Sequence, residues 1–186
     1  MRFEREILLK TGERCLLRSA GAADAAEVLD SFIKVHGETD YLLSYPDENT
    51  HTVEGEEKFL ATAEESDRNA FIIAVIDGKV VGDAGIDPVG NREKNRHRAD
   101  FGISVLKEHW GKGIGRALTE ACIECARRAG YSQLELEVVS GNAPAISLYR
   151  SFGFTEYGRN PRGFRSRYSG WQELVLMRLE LDRISL

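Results

Sequence analysis

The segment Ile103–Leu118, ISVLKEHWGKGIGRAL, does most to narrow the folds open to this chain. A strand-like run over Arg98–Val105 leads into glycines at 111, 113 and 115. From there Ile114, Ala117, Leu118, Ala121, Cys122, Cys125, Ala126 and Ala129 recur at helical spacing. A strand therefore passes through a Gly-rich turn into an amphipathic helix over Gly113 to Ala129. Arg127 and Arg128 suit the negative end of that helix, and Gly130 stops it. Bare glycine backbone lets successive N–H groups approach an anion, and the positive end of the helix dipole adds to the attraction. A phosphate or pyrophosphate is the expected guest. Two familiar phosphate binders fail on spacing. No Gly-Lys pair here is followed by Ser or Thr, as a P-loop needs, and Arg116 and Leu118 stand where a dinucleotide fingerprint would put its third glycine.

The rest of the chain reads as an alternation of hairpins and helices. Glu4–Lys10 and Glu13–Arg18 flank Thr11-Gly12 as an opening hairpin. Helical spacing covers Asp24 to about Val35 and, less regularly, Glu54 to about Glu65. Phe71–Ile76 and Lys79–Ile86 around Asp77-Gly78 give the clearest hairpin signal, since Asp-Gly favours a two-residue turn. Pro88–His97 reads as loop, Leu134–Val139 as strand, Asn142 as the cap of a short helix through Arg150, and Trp171–Leu181 as a closing strand. The expected order is ββααββββ followed by αβαββ. Helices alternating with strands imply some parallel pairing and hairpins imply antiparallel pairing, so the expected fold is α/β, a mixed sheet with helices on both faces. No repeat or low-complexity linker divides it, and one domain over 1–186 is expected.

Composition sets limits on partners. The formal net charge of -5 argues against attraction to nucleic acid by bulk electrostatics. No apolar run reaches the ~18 residues of a membrane span, and MRFEREILLK is too charged for a signal peptide, so a cytoplasmic protein without membrane contact is expected. Cys15, Cys122 and Cys125 are too few for a disulfide framework; the last two fall on the apolar helix face, where packing explains them better than metal. His36, His51, His97 and His109 lack metal-like spacing and read as surface or loop residues, so no metal is expected.

Trp110-Gly111-Lys112-Gly113-Ile114-Gly115 resembles the pyrophosphate loop of the GNAT N-acetyltransferase superfamily, Q/R-x-x-G-x-G/A, with Trp110 departing at the first position. Asn142-Ala143-Pro144-Ala145-Ile146-Ser147-Leu148-Tyr149-Arg150-Ser151-Phe152-Gly153-Phe154 is similar to that superfamily's N-x-x-A-x-x-L-Y-x-x-x-G-F segment at every named letter. The resemblance covers roughly residues 98–157. It implies a mostly antiparallel GNAT-type sheet whose strands Arg98–Val105 and Leu134–Val138 splay apart around the pantetheine arm of acetyl-CoA. Ile103, Ser104 and Val105 would then line the arm. Trp110, Gly111, Lys112, Gly113, Ile114, Gly115 and Arg116 would hold the pyrophosphate, and Asn142 would bond the pantetheine or simply cap its helix.

The same resemblance implies direct attack of a primary amine, from a small molecule or a peptide, on the thioester. A strand N–H such as that of Val105 would stabilise the oxyanion, and Tyr149 would protonate the departing thiolate. A lysine-like amine with a pKa of about 10.4 must first lose a proton; Asp100 is a candidate base beside a water chain. A homodimer is unsurprising in such a superfamily. The loops 41–52 and 159–170 are expected to select the acceptor, and Arg159, Arg162, Arg165 and Arg167 give the second of them a local positive charge. A CoA-binding sensor that keeps the fold but turns nothing over is the alternative reading.

Overall fold

The computed structural model describes residues 1–181; residues 182–186 of the expected domain lie outside the described range. Its strands are β1 (Glu4–Leu8), β2 (Arg14–Ser19), β3 (Ala70–Ile76), β4 (Lys79–Pro88), β5 (Arg98–Val105), β6 (Gln133–Val139), β7 (Thr155–Ser166) and β8 (Gly170–Glu180), and its helices are α1 (Ala25–Glu38), α2 (Val53–Glu65), α3 (Ile114–Arg128) and α4 (Ala143–Ser151). The eight strands form one sheet in the order β1-β2-β3-β4-β5-β6-β8-β7. Every neighbouring pair is antiparallel except β5–β6, which is parallel. Three strands, not the expected four, separate α2 from α3.

Local chemistry explains most of the boundaries. Asp77 and Gly78 both take positive φ, 49° and 78°, the geometry of the tight turn that the Asp-Gly pair predicts. Thr52 caps α2 by accepting from the Gly55 N–H at 3.1 Å. Asp24 precedes α1, accepts from the Gly21 N–H at 2.9 Å and is held by both nitrogens of the Arg18 fork at 2.7 and 2.6 Å. Gly113 is the residue before α3, and Arg127 and Arg128 do occupy its last turn.

Alternation along the strands divides the core between two faces. Ile72, Ala74, Ala84, Ile86, Ala99 and Phe101 join Leu118, Ala121, Cys122 and Cys125 of α3 in one cluster, whereas Ile73 and Val80 join Ala25, Val28 and Leu60 beneath α1 and α2 in another. Cys122 and Cys125 are thus core residues, and burial raises both thiols. His36 departs from its expected surface position: it is buried on α1, its ring against Phe32 at 3.9 Å and its Nδ1 2.7 Å from the Phe32 carbonyl.

The segment 160–168, expected as a basic loop, is mostly strand. Its arginines, Pro161 and Gly163 hide the alternation, and the register against β8 breaks between Glu156 and Gly158 and again between Asn160 and Phe164. Pairing with a distant strand overrides a weak local pattern there.

Candidate functional site

Strands β5 and β6 share only three registered pairs, Arg98–Gln133, Ala99–Leu134 and Asp100–Glu135. Beyond them each strand stays fully paired on its outer side, β5 to β4 as far as Val105 and β6 to β8 as far as Val139. The sheet therefore opens into a split from Phe101 and Leu136 onward. The Val89 N–H bonds the Arg98 carbonyl and the Leu106 N–H bonds the Val81 carbonyl, so the even-numbered residues of β5 serve β4. The Phe101 carbonyl and the backbone groups of Ile103 and Val105 accordingly face the split, the arrangement that strand addition by an extended ligand requires.

The glycine turn lies at the open end of this split. Gly111 and Gly113 have φ of 76° and 104°, and no side chain caps α3. The first helical bond from this turn is donated by Ala117 to the Gly113 carbonyl at 3.1 Å. Among the described residues, the N–H groups of Gly111, Lys112, Gly113, Ile114, Gly115 and Arg116 find no protein acceptor. Six successive unpaired donors at a helix N-terminus give this turn the chemistry that anion seats use. The β1–β2 turn props it from behind: the Lys10 N–H bonds the Lys112 carbonyl at 3.3 Å, and Lys112 Nζ lies 3.4 Å from Glu13. A Cβ on Gly115 would lie 3.5 Å from Leu148, an ordinary contact, so α4 packs close to this turn without depending on the missing side chain.

Several expected site residues prove to be engaged. The Trp110 indole N–H, folded back by a short turn at Lys107–His109, donates to the Val105 carbonyl at 2.7 Å. Trp110 thus brings a donor of its own rather than only removing a polar group, and one of the split's acceptors is already taken. Asn142 caps α4, its Oδ1 accepting from the Ala145 N–H at 3.3 Å. Arg116 donates to Ser151 Oγ at 2.8 Å and its guanidinium lies 4.9 Å from the centre of the Phe152 ring. The Ser104 side chain projects from the sheet face opposite Tyr149 and donates to Asp83 Oδ2 at 2.6 Å.

Tyr149 sits on the α3 side of the split, packed edge-on to Phe101 at 6.1 Å and 5.8 Å from Phe154. Burial pushes its phenol up to about 12, and among the described residues its hydroxyl has no hydrogen-bond partner. It is therefore a neutral O–H donor at any ordinary pH. Asp100 is exposed at the closed end of the split, on the opposite face, with Asp87 and Glu135 as its cross-strand neighbours. Partial burial and the Glu135 charge raise its pKa, while Arg98 opposes that shift and binds Glu135 at 2.5 and 2.6 Å.

The two loops expected to select the acceptor are joined to each other. Asp40 Oδ2 accepts from Ser166 Oγ at 2.6 Å and from Ser169 Oγ and Gln172 Nε2 at 3.1 Å, and Arg167 pairs with Asp47 at 2.7 Å. The Tyr41 hydroxyl reaches the Gly141 carbonyl at 3.4 Å, so this wall stands over the end of β6. Arg159 is taken by Glu156 and Glu173, whereas Arg162 and Arg165 both lie over the exposed Trp171 ring at 5.4 and 5.5 Å. Asp83 was missed by sequence reading, although an acid inside the apolar run VVGDAGI is itself a signal.

A mixed sheet split beside an acceptor-free anion seat defines a class of protein that lays an extended, phosphate-bearing ligand between two strands. Comparison with known proteins supplies the family: residues 36–154 match the model described as Acetyltransferase (GNAT) family, and the chain belongs to it. The L-amino acid N-acetyltransferase AaaT of Escherichia coli (strain K12) is 42% identical over 84 residues, 45% of this chain and 51% of that protein. The chain thus spans about half of that relative's length. An L-methionine sulfoximine/L-methionine sulfone acetyltransferase of Pseudomonas aeruginosa is 27% identical over 166 residues, 89% of this chain and 94% of the relative. The crystal structure of a GNAT-family acetyltransferase from Streptococcus pneumoniae superimposes with a TM-score of 0.86 at 32% identity, covering 89% of this chain and 99% of that one.

Proposed function

We propose that this chain transfers an acetyl group from acetyl-CoA to the α-amine of an L-amino acid or a close derivative, by direct attack. The observation that carries the reading is the row of six acceptor-free N–H groups from Gly111 to Arg116 at the open end of a split sheet. Unpaired donors at the positive end of a helix suit the charge of a pyrophosphate. A pantetheine arm laid from that seat along β5 finds the N–H groups of Ile103 and Val105, and its thioester then falls beside Phe101–Ile103, against which Tyr149 packs. The split-facing N–H beside the thioester, that of Ile103 rather than Val105, supports the oxyanion. Tyr149, neutral and without a competing partner, protonates the thiolate. Asp100 stands on the acceptor face as the exposed carboxylate at the closed end. Lys112 and Trp110 shape the entrance, Ser104 lines β5, and Arg116 lies at the adenosine end. The names of the two relatives favour an amino-acid acceptor over a peptide, and the buried thiols suit the cytoplasm.

Thiol release from acetyl-CoA across a panel of L-amino acids, amino-acid analogues, polyamines and short peptides tests this. Release with an amino acid supports the reading, release only with peptides or polyamines moves the acceptor class, and acetyl-CoA binding without release leaves the sensor alternative.

A further inference from the structure

On the sheet face turned toward α1 and α2, β4 and β5 align three cross-strand pairs: Asp83–Ser104, Gly85–Gly102 and Asp87–Asp100. The middle pair carries no side chains, and a Cβ placed on Gly102 would meet no atom within 4 Å. Gly102 is exposed although it lies within a strand, so a trough opens directly beside Ser104. Asp83 forms the inner wall of this trough. It is half-buried between the buried Gly82 and Ala84. Its Oδ2 accepts from Ser104 Oγ at 2.6 Å, and among the described residues its Oδ1 has no hydrogen-bond partner and no cation pairs with the carboxylate.

The trough lies across β5 from Tyr149. Phe101, Ile103 and Val105 face the core cluster that contains Tyr149, while Gly102 and Ser104 face the other way. Ser104 is four residues along the strand from Asp100, roughly 13 Å at the ordinary rise of a strand, and is the neighbour of Ile103, beside which the proposed thioester falls. A thioester laid along β5 as proposed above would have the sheet face of Ser104 on one side and that of Tyr149 on the other.

We infer that Ser104 and Asp83 form the relay that takes the proton from the attacking amine. The inference rests on the acetyl-transfer reading above and extends it to the proton path. As the neutral amine's lone pair bonds the carbonyl carbon, the carbonyl π pair moves to oxygen. The N–H proton passes to Ser104 Oγ, and Ser104's own proton passes to Asp83 Oδ2. The C–S bond then breaks as the carbonyl re-forms, the thiolate takes the Tyr149 proton, and Asp83 and Tyr149 exchange protons with water.

The electrostatics agree. Burial pushes Asp83 up to about 6, against the opposing effect of the Ser104 hydrogen bond, and the negative charge of Glu56 on α2 adds to the rise. Other titratable groups on the packed elements are His51, which acts on Glu56, His36 of α1, bonded to the Phe32 carbonyl, and Cys122 of α3 on the far face. A relay of this kind works only while Asp83 is ionised, so kcat should rise with pH through about 6.

The test is the pH dependence of kcat for wild type, Asp83→Asn, Ser104→Ala and Asp100→Asn, with acetyl-CoA affinity measured in parallel by calorimetry. Asp83→Asn keeps the shape and can still accept from Ser104. It should lower kcat about 100-fold or more and abolish the acidic limb, with acetyl-CoA affinity unchanged. Asp83→Glu should restore part of the rate and the limb. Ser104→Ala should lower kcat less, because water can bridge the gap, and Asp100→Asn should keep the limb. A limb intact in Asp83→Asn, or lost only in Asp100→Asn, overturns the relay while leaving the acetyl-transfer reading standing. A wild type that binds acetyl-CoA but acetylates no amine overturns both.

Discussion

Gly113 offers a quantitative test of the anion seat, because its contribution is almost purely one of backbone conformation. Its φ of 104° lies outside the region that L-residues comfortably adopt, yet a Cβ built there meets nothing closer than Lys10 Cγ at 4.0 Å. Gly113→Ala thus adds conformational strain without a clash. Holding an L-residue in such a conformation costs on the order of 1–3 kcal/mol. The turn is at the surface, so the free protein can relax it; the cost then falls on binding, which needs the N–H groups to converge. The expected outcome is a rise in the acetyl-CoA Kd of about 5-fold to 150-fold, from RT of about 0.59 kcal/mol, with the melting temperature nearly unchanged. Gly113→Glu adds charge repulsion and should abolish measurable binding. Calorimetric titration reads both. Wild-type affinity in a folded Gly113→Ala protein would refute the argument that positive φ at this residue shapes the seat.

Tyr149→Phe should cut kcat about 100-fold or more as a lost general acid, with KM for acetyl-CoA little changed and no loss of thermal stability, since its hydroxyl bonds no described residue; steady-state kinetics and a melting curve check this. The raised Tyr149 pKa favours the folded state below the unfolded value of about 10, so that contribution should fade as pH climbs from there through about 12, which denaturant titration in alkali would follow. Asp24→Ala removes the Arg18 fork and the Gly21 bond and should destabilise by about 1–3 kcal/mol in urea titrations. Because Arg18 holds Asp24 below its usual pKa, the stabilisation is present above about pH 4 and fades as pH falls through the lowered value; the two proteins should converge in acid. Leu118→Ala, in the fully buried centre of α3, should cost about 2–5 kcal/mol by the same measurement.

Much of the fold is written in local signals. The apolar spacing of α3, the Asp-Gly turn and the Asn142 cap each depend on a few neighbouring residues, and each element lies within a residue or two of its expected place. The split between β5 and β6 came from a family resemblance, and the register that stops at Asp100–Glu135 bears it out. What was not legible depends on partners far apart in sequence. Strand β7 draws its pairing from β8 across two bulges, so an arginine-rich run with Pro161 and Gly163 reads as loop until its partner is known. The Ser104–Asp83 bond spans 21 residues and exists only because the β4–β5 register makes the two a pair. Trp110 looks like a lost polar residue in the motif, yet the turn before it aims the indole at Val105.

The most direct test of the central claim is a single incubation of the purified protein with acetyl-CoA and a set of L-amino acids, read by thiol release and by mass spectrometry of the acceptor. Stoichiometric thiol and N-acetylated amino acid are expected, both lost in Gly113→Glu. Tight acetyl-CoA binding with no acetylated product from any amine would contradict it, leaving a protein that holds the cofactor in the split sheet without using it.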